Sequence, residues 1–199
     1  MPQLRQNRFT KEWVIMATER AKRPEEMRVK REAPQQLPHY VSTCPFCPGN
    51  EHLAPPEIVR FSRPDGRWTV RVVPNKYAAL SREGEPTWKI ERSRRTINGV
   101  GVHDVIVETP DHALTTALLP PERVETILQC YLRRFLAVSD DPRVAHVTIF
   151  KNHGVRAGTS LEHPHSQMIG APVVSSQVRQ RLTRPCGTST SSGSACSAK

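Results

Sequence analysis

The chain has 199 residues, 37% of them hydrophobic and 24% charged, with a formal net charge of +10. No run approaches the roughly 20 apolar residues of a membrane-spanning helix, and the opening Met1-Pro2-Gln3-Leu4-Arg5 lacks the apolar stretch of a secretory signal. Five cysteines, two of them in a Cys-x-x-Cys, form an odd set for a secreted disulfide scaffold; they imply reduced thiols or a metal in a soluble, cytoplasmic protein.

Residues 12–18 read as a strand rich in β-formers, followed by a Pro-, Gln- and charge-rich loop from about Arg20 to Ser42. Cys44-Pro45-Phe46-Cys47-Pro48-Gly49-Asn50 is a sharp turn with a thiol at each end. Thr69 to Val73 and residues 102–109 are further strands, each closed by a proline. A helix opens at Pro121, with Glu122 and Glu125 where the helix dipole favours anions and Arg133 and Arg134 towards its other end. Val124, Ile127, Leu128, Tyr131, Leu132, Phe135 and Leu136 fall on one helical face, leaving Cys130 off that stripe. Val144 to Phe150 and Leu161 to Ile169 complete the strands. Several strands against one amphipathic helix predict an α+β domain with an antiparallel sheet, spanning 1–182. The remaining residues, 183–199, hold no Val, Ile, Leu, Met or aromatic residue, and this low-complexity tail is expected to be disordered.

Of the 29 basic residues 22 are Arg, whose planar fork suits phosphate. A phosphate-rich ligand or a nucleic acid is one reading of that bias. A solvated surface with scattered charge is the other, since no block of five or six like charges occurs.

The strongest chemical signal is the run from Asn152 to Gln167. Side chains at i, i+2 and i+4 of a strand share a face, so His163, His165 and Gln167 are expected to line up. The preceding Gly- and Ser-bearing loop offers backbone N–H groups to an anion. Cys44 and Cys47 are the second signal. A redox pair normally opens a helix, whereas Pro48-Gly49-Asn50 is turn material, which favours a metal knuckle over a redox pair or idle thiols. Zinc then needs two more N or S ligands, for which His112 and one of His163 and His165 are candidates. For His39, His52, His103, His146 and His153 the sequence names no partner, and each reads as an ordinary histidine.

Five ordered motifs resemble the N-terminal half of the galactose-1-phosphate uridylyltransferase family, within the histidine-triad superfamily. They are Trp13-Val14-Ile15 with Arg20-Ala21-Lys22-Arg23-Pro24, the Cys44–Glu51 segment, Val73-Pro74-Asn75-Lys76-Tyr77, Pro110-Asp111-His112, and His163-Pro164-His165-Ser166-Gln167. The resemblance covers about residues 8–182. It implies a histidine-triad-like antiparallel sheet carrying an amphipathic helix, with zinc on Cys44, Cys47, His112 and His163. It also implies His165 as nucleophile and Gln167 as its partner, with Asn75, Asn152, Gly158 and Ser160 holding the nucleotide. Arg20 and Arg23 match arginines that reach phosphate from a neighbouring subunit, so the full-length family form is expected to be a homodimer. Hydrolytic members of the superfamily carry a third histidine where Gln167 stands; the glutamine resembles the transferases.

The activity so implied is uridylyl transfer between UDP-glucose and a hexose 1-phosphate, in galactose metabolism, through a uridylyl-histidine. Family members continue into a similar second half, so the tail reads as a frameshifted or truncated frame, with activity in doubt. The alternatives are an adenylyltransferase or ADP-sugar phosphorylase of the same superfamily, a catalytically dead fragment, and a zinc-bearing nucleic-acid module. The last lacks a repeated Cys-x-x-Cys or a His-x3–5-His.

Overall fold

The computed structural model describes residues 1–18, 20, 37–154, 157, 159 and 161–183. The tail from 184 onward, and most of the loop between Arg20 and Ser42, lie outside the described residues. Among the described residues, nine strands form two antiparallel sheets. The larger has the order β3-β4-β7-β9-β8, built from Val59–Ser62, Trp68–Pro74, Val102–Val107, His165–Ala171 and His146–Phe150. The smaller has the order β2-β1-β6-β5, built from Trp13–Met16, Gln3–Gln6, Arg94–Asn98 and Trp88–Glu91. Helix α1 (Pro121–Ser139) packs on the large sheet, and α2 (Ser176–Thr183) follows β9. The α+β class and the antiparallel sheet agree with the sequence expectation. The small sheet adds strands β1, β5 and β6, which the sequence patterns did not reveal. No helix among the described residues is long and apolar enough to cross a membrane.

The central pair β7 and β9 is buried on both faces, which explains the near-continuous apolar run of Val102–Val107. Its register pairs Val107 with His165, Val105 with Gln167, and Ile106 with Ser166. Alternation therefore splits these strands into two functional surfaces. Ile106 and Met168 face α1 through Ile127, Cys130 and Val138. Val105 and Val107 face the other way, onto Phe46 and the two thiols of the knuckle.

Two expectations need correction. Cys130 is fully buried in the α1 interface, while Leu128, Leu132 and Leu136 are 56%, 60% and 55% exposed. The helix is rotated because Arg134 turns inward: its Nε donates to Asp104 Oδ2 at 2.7 Å, and Arg82 pairs with the other oxygen. A carboxylate with no exposure needs such partners, and satisfying it outweighs burying three leucines. The last strand also starts later than expected, at His165, so His163 precedes the strand and turns towards the knuckle.

The two sheets meet at Gly101, which donates its N–H to Ser81 O at 2.7 Å with φ +152°. A Cβ there would run into the Gly170 carbonyl oxygen on β9. Gly101→Ala is therefore expected to destabilise the fold by about 2 kcal/mol or more, read as a lower denaturant midpoint; an unchanged midpoint would show that the junction is looser than described.

Candidate active site and metal centre

Local turns build the knuckle. The Cys44 N–H donates to Val41 O and the Cys47 N–H to Cys44 O, and Gly49 turns with φ +87°. Asn50, buried, donates its Nδ2 to Cys44 O at 2.9 Å and Val41 O at 3.1 Å, so its amide ties both ends of the turn. His112 arrives from the turn after β7. Asp111 accepts the N–H groups of Ala113 and Leu114 and bonds His39 Nδ1 at 2.7 Å, while the His112 N–H donates to His39 O. His39 thus has a specific partner that the sequence did not disclose.

The four expected metal ligands converge. Their ligand atoms all lie within 4.8 Å of one another, and all four residues are buried. Cys47 Sγ stands 3.4 Å from His112 Nδ1 and 3.6 Å from His163 Nδ1, and Cys44 Sγ stands 3.7 Å from His163 Nδ1. A tetrahedral site with metal–sulfur bonds of about 2.3 Å and metal–nitrogen bonds of about 2.0 Å has S···N edges of about 3.5 Å, so the donor set fits zinc. The other nitrogen of His163, Nε2, donates to Thr109 O at 2.7 Å, which leaves Nδ1 as the lone pair aimed at the thiols. Burial pushes the Cys44 thiol up to about 11 and His163 down to about 4, and it lowers His112 as well. The histidines are therefore neutral and ready to ligate, and a bound cation would supply what the thiolates need.

His165 and Gln167 share the knuckle-facing surface of β9 and line an open cavity of about 230 Å³. Pro45, Phe46, Leu53, Val73, Val105 and Leu161 give it apolar walls, while Arg20, Asn75, Asn152 and Thr159 add polar groups. Thr159 Oγ1 is buried with no hydrogen-bond partner among the described residues. Its neighbours Gly158 and Ser160 lie outside the described residues, as does Arg23. Arg20 is in the cleft of its own chain, where Nη1 donates to Tyr77 O at 3.4 Å. Phe46, between the two thiols, touches the rings of both His163 and His165 edge-on, at centroid distances of 5.9 and 5.5 Å. The knuckle is thus one wall of the cleft.

His165 is 8% exposed, and its Nδ1 lies 2.8 Å from the His163 carbonyl oxygen. A carbonyl only accepts, so Nδ1 carries the hydrogen and Nε2 keeps the free lone pair. Burial, partly offset by that carbonyl and by Glu108, lowers its pKa and keeps the ring neutral. Gln167 Oε1 bonds His103 Nε2 at 2.9 Å, and Asn75 Nδ2 stands 3.4 Å from the same oxygen.

On the opposite surface of β9, Ser166 belongs to a buried network that the sequence did not suggest. Glu108, 1% exposed, accepts from Tyr131 at 2.9 Å, from Thr116 at 2.7 Å, and from Ser166 and Lys151. Burial alone would raise the Glu108 carboxyl, but Lys151 and the Ser166 and Thr116 hydroxyls outweigh it and hold the group below its ordinary value. The network clamps α1, β7 and β9 directly behind His165.

A model of the galactose-1-phosphate uridyl transferase N-terminal domain matches residues 1–175. The chain belongs to this family. It is 39% identical to ADP-glucose phosphorylase of Arabidopsis thaliana over 183 residues, covering 91% of this chain and 52% of that protein. It is 28% identical to galactose-1-phosphate uridylyltransferase of Thermotoga maritima over 184 residues, covering 92% of this chain and 50% of that protein. The crystal structure of the Arabidopsis ADP-glucose phosphorylase with bound ADP-glucose superposes with a TM-score of 0.61 at 33% identity, over 92% of this chain and 52% of that one. The chain thus spans about half the length of the relatives it matches.

Removing the Glu108 carboxylate leaves Lys151 and three hydroxyls behind β9 without their acceptor, so Glu108→Ala is expected to cost about 3 kcal/mol. Because the folded pKa is lowered, the stability that Glu108 contributes is present above the unfolded value of 4.5 and is lost as pH falls below it. Urea titrations from pH 7 to pH 3 should show that loss in the wild type and a flatter profile in Glu108→Gln; parallel profiles would refute it.

Proposed function

We propose that this domain transfers a nucleotidyl group from a nucleotide sugar through a covalent adduct on His165. The observation that carries the reading is the His165 tautomer. With Nδ1–H held by the His163 carbonyl, Nε2 is a neutral nucleophile within a cleft that joins apolar walls to amide, hydroxyl and guanidinium groups. Nε2 attacks the α-phosphorus, the Nε2–P bond forms, and the bond from that phosphorus to the sugar phosphate breaks, releasing sugar 1-phosphate. The ring keeps its Nδ1 proton and becomes cationic while bonded to the carbonyl, so the step needs no proton transfer. A second phosphate oxygen then attacks the adduct and regenerates neutral His165. Gln167 is suited to donate an amide N–H to a non-bridging oxygen as charge grows there. Arg20 and Asn152 are proposed to hold the phosphates, and Asn75 to hold the nucleotide side; Arg23, Gly158 and Ser160 remain part of the proposal from the resemblance alone.

Zinc on Cys44, Cys47, His112 and His163 would supply rigidity, holding the turn from which His165 departs, and takes no part in the bond changes. The 39% identity to ADP-glucose phosphorylase favours an adenylyl group passed to inorganic phosphate. Uridylyl transfer from UDP-glucose to a hexose 1-phosphate, the expectation drawn from the sequence, is the second reading and rests on relatives at 25–28% identity.

Incubation with ADP-glucose or UDP-glucose followed by mass spectrometry separates the two. The expected result is one AMP on His165 from ADP-glucose and none in His165→Gly. A UMP adduct alone selects the second reading, and an adduct on any other histidine contradicts the assignment. For the metal, elemental analysis should find one zinc per chain, absent from the Cys44→Ser/Cys47→Ser variant; unchanged zinc in that variant would remove the claim.

A further inference from the structure

His103 read from sequence as an ordinary histidine, yet it is 2% exposed and bonded directly to Gln167. It stands on β7 two residues before Val105, the register partner of Gln167, and so reaches the glutamine diagonally across the sheet on the cleft side. Two backbone N–H groups, neither of which can invert, determine the hydrogen bonds here. The Ala79 N–H donates to His103 Nδ1 at 2.8 Å. Nδ1 is therefore an acceptor, and the ring carries its hydrogen on Nε2. The Tyr77 N–H donates to Asn75 Oδ1 at 2.9 Å, so the other end of Asn75, 3.1 Å from His103 Nε2, is its NH2. Nε2–H and the Asn75 NH2 are both donors, and between them lies one atom of Gln167. That atom has to be the oxygen, at 2.9 and 3.4 Å.

We propose that His103 is a positioning residue that holds the Gln167 side chain in the single amide orientation that leaves its NH2 available to the substrate. The inference rests on the reading of His165 and Gln167 as the nucleotidyl-transfer pair. It adds the reason why a glutamine, whose two ends differ little in shape, presents a donor rather than an acceptor to a phosphoryl oxygen. With the orientation reversed, Gln167 would set a carbonyl oxygen against growing negative charge. The chain of bonds runs from the β4–β5 connection, through Ala79 and His103, to the reacting centre, so a backbone segment that does not touch the phosphorus determines the polarity of a group that does.

Two readouts test this on the 199-residue chain. Long-range 1H–15N correlation spectra, recorded without substrate, report which His103 nitrogen is protonated. Nε2 is expected, and a proton on Nδ1 overturns the proposal whatever the enzymatic outcome. In the same spectra His103→Phe, which keeps a ring but loses the donor, should shift the Gln167 side-chain amide signals; unshifted signals also overturn it. The second readout is single-turnover formation of the His165 adduct from ADP-glucose and UDP-glucose. Loss of an oriented donor outright costs about 100-fold, and His103→Phe, which only frees the amide to turn, should slow the step about tenfold without changing nucleotide affinity. His103→Gln, whose amide nitrogen reaches the position of Nε2, should recover most of the rate. In a Gln167→Ala background His103→Phe should have no further effect. An equal loss in both backgrounds would show that His103 acts on the fold rather than through Gln167. A wild-type chain that forms no adduct removes the nucleotidyl-transfer reading, while the tautomer and the amide shifts still decide what orients Gln167.

Discussion

Cys47 and His163 are separated by 116 positions in the chain, and Cys47 and His112 by 65, yet Cys47 Sγ lies within 3.6 Å of both imidazoles. Without a cation this is an unfavourable assembly. Four polar side chains lose water, the Cys44 thiol is driven to about 11 and His163 to about 4. A divalent metal would reverse the balance, because it would exchange the thiol protons for two strong bonds and use the lone pairs that burial keeps free. Folding and metal binding would then be one process, and the knuckle, the turn after β7 and the approach to β9 would be held by the same four bonds.

The cleft is built against that cluster. His163 supplies Nδ1 to the cluster and its main-chain carbonyl to His165, so one residue links the metal to the tautomer of the proposed nucleophile. Phe46, between the thiols, packs against the same ring. Behind the strand, the Glu108 network occupies the alternate side-chain positions and ties Ser166 to α1 and Lys151. β9 is thus restrained from both faces, with the Cys2His2 cluster on one and a satisfied buried carboxylate on the other. This double restraint is how a strand can hold an imidazole and an amide in fixed orientation at the edge of an open cleft.

The site was legible in the sequence where covalent spacing dictates geometry. Cys-x-x-Cys with a Pro-Gly turn makes a knuckle, and His165 and Gln167 at i and i+2 share a face. The parts that escaped depend on partners distant along the chain. Val102–Val107 is legible as a strand, but nothing local says that His103 meets Gln167, that Asp104 meets two arginines, or that Glu108 collects three hydroxyls and a lysine. The same blindness misplaced the α1 stripe: apolar periodicity selects the face with the leucines, whereas Asp104 draws Arg134, and with it Cys130, to the inside. The small sheet escaped for another reason. Gln3–Gln6 and Arg94–Asn98 are short and mostly polar, with only Leu4, Thr96 and Ile97 buried, too few alternating positions to make a period-two pattern.

If the four-residue centre organises the rest, its coordination shell is the decisive quantity. X-ray absorption at the zinc edge on the metal-loaded chain measures it directly. Two sulfurs at about 2.3 Å and two nitrogens at about 2.0 Å are predicted. A shell of oxygen and nitrogen without sulfur, or one with four sulfurs, would place the metal elsewhere and leave His165 without its anchor.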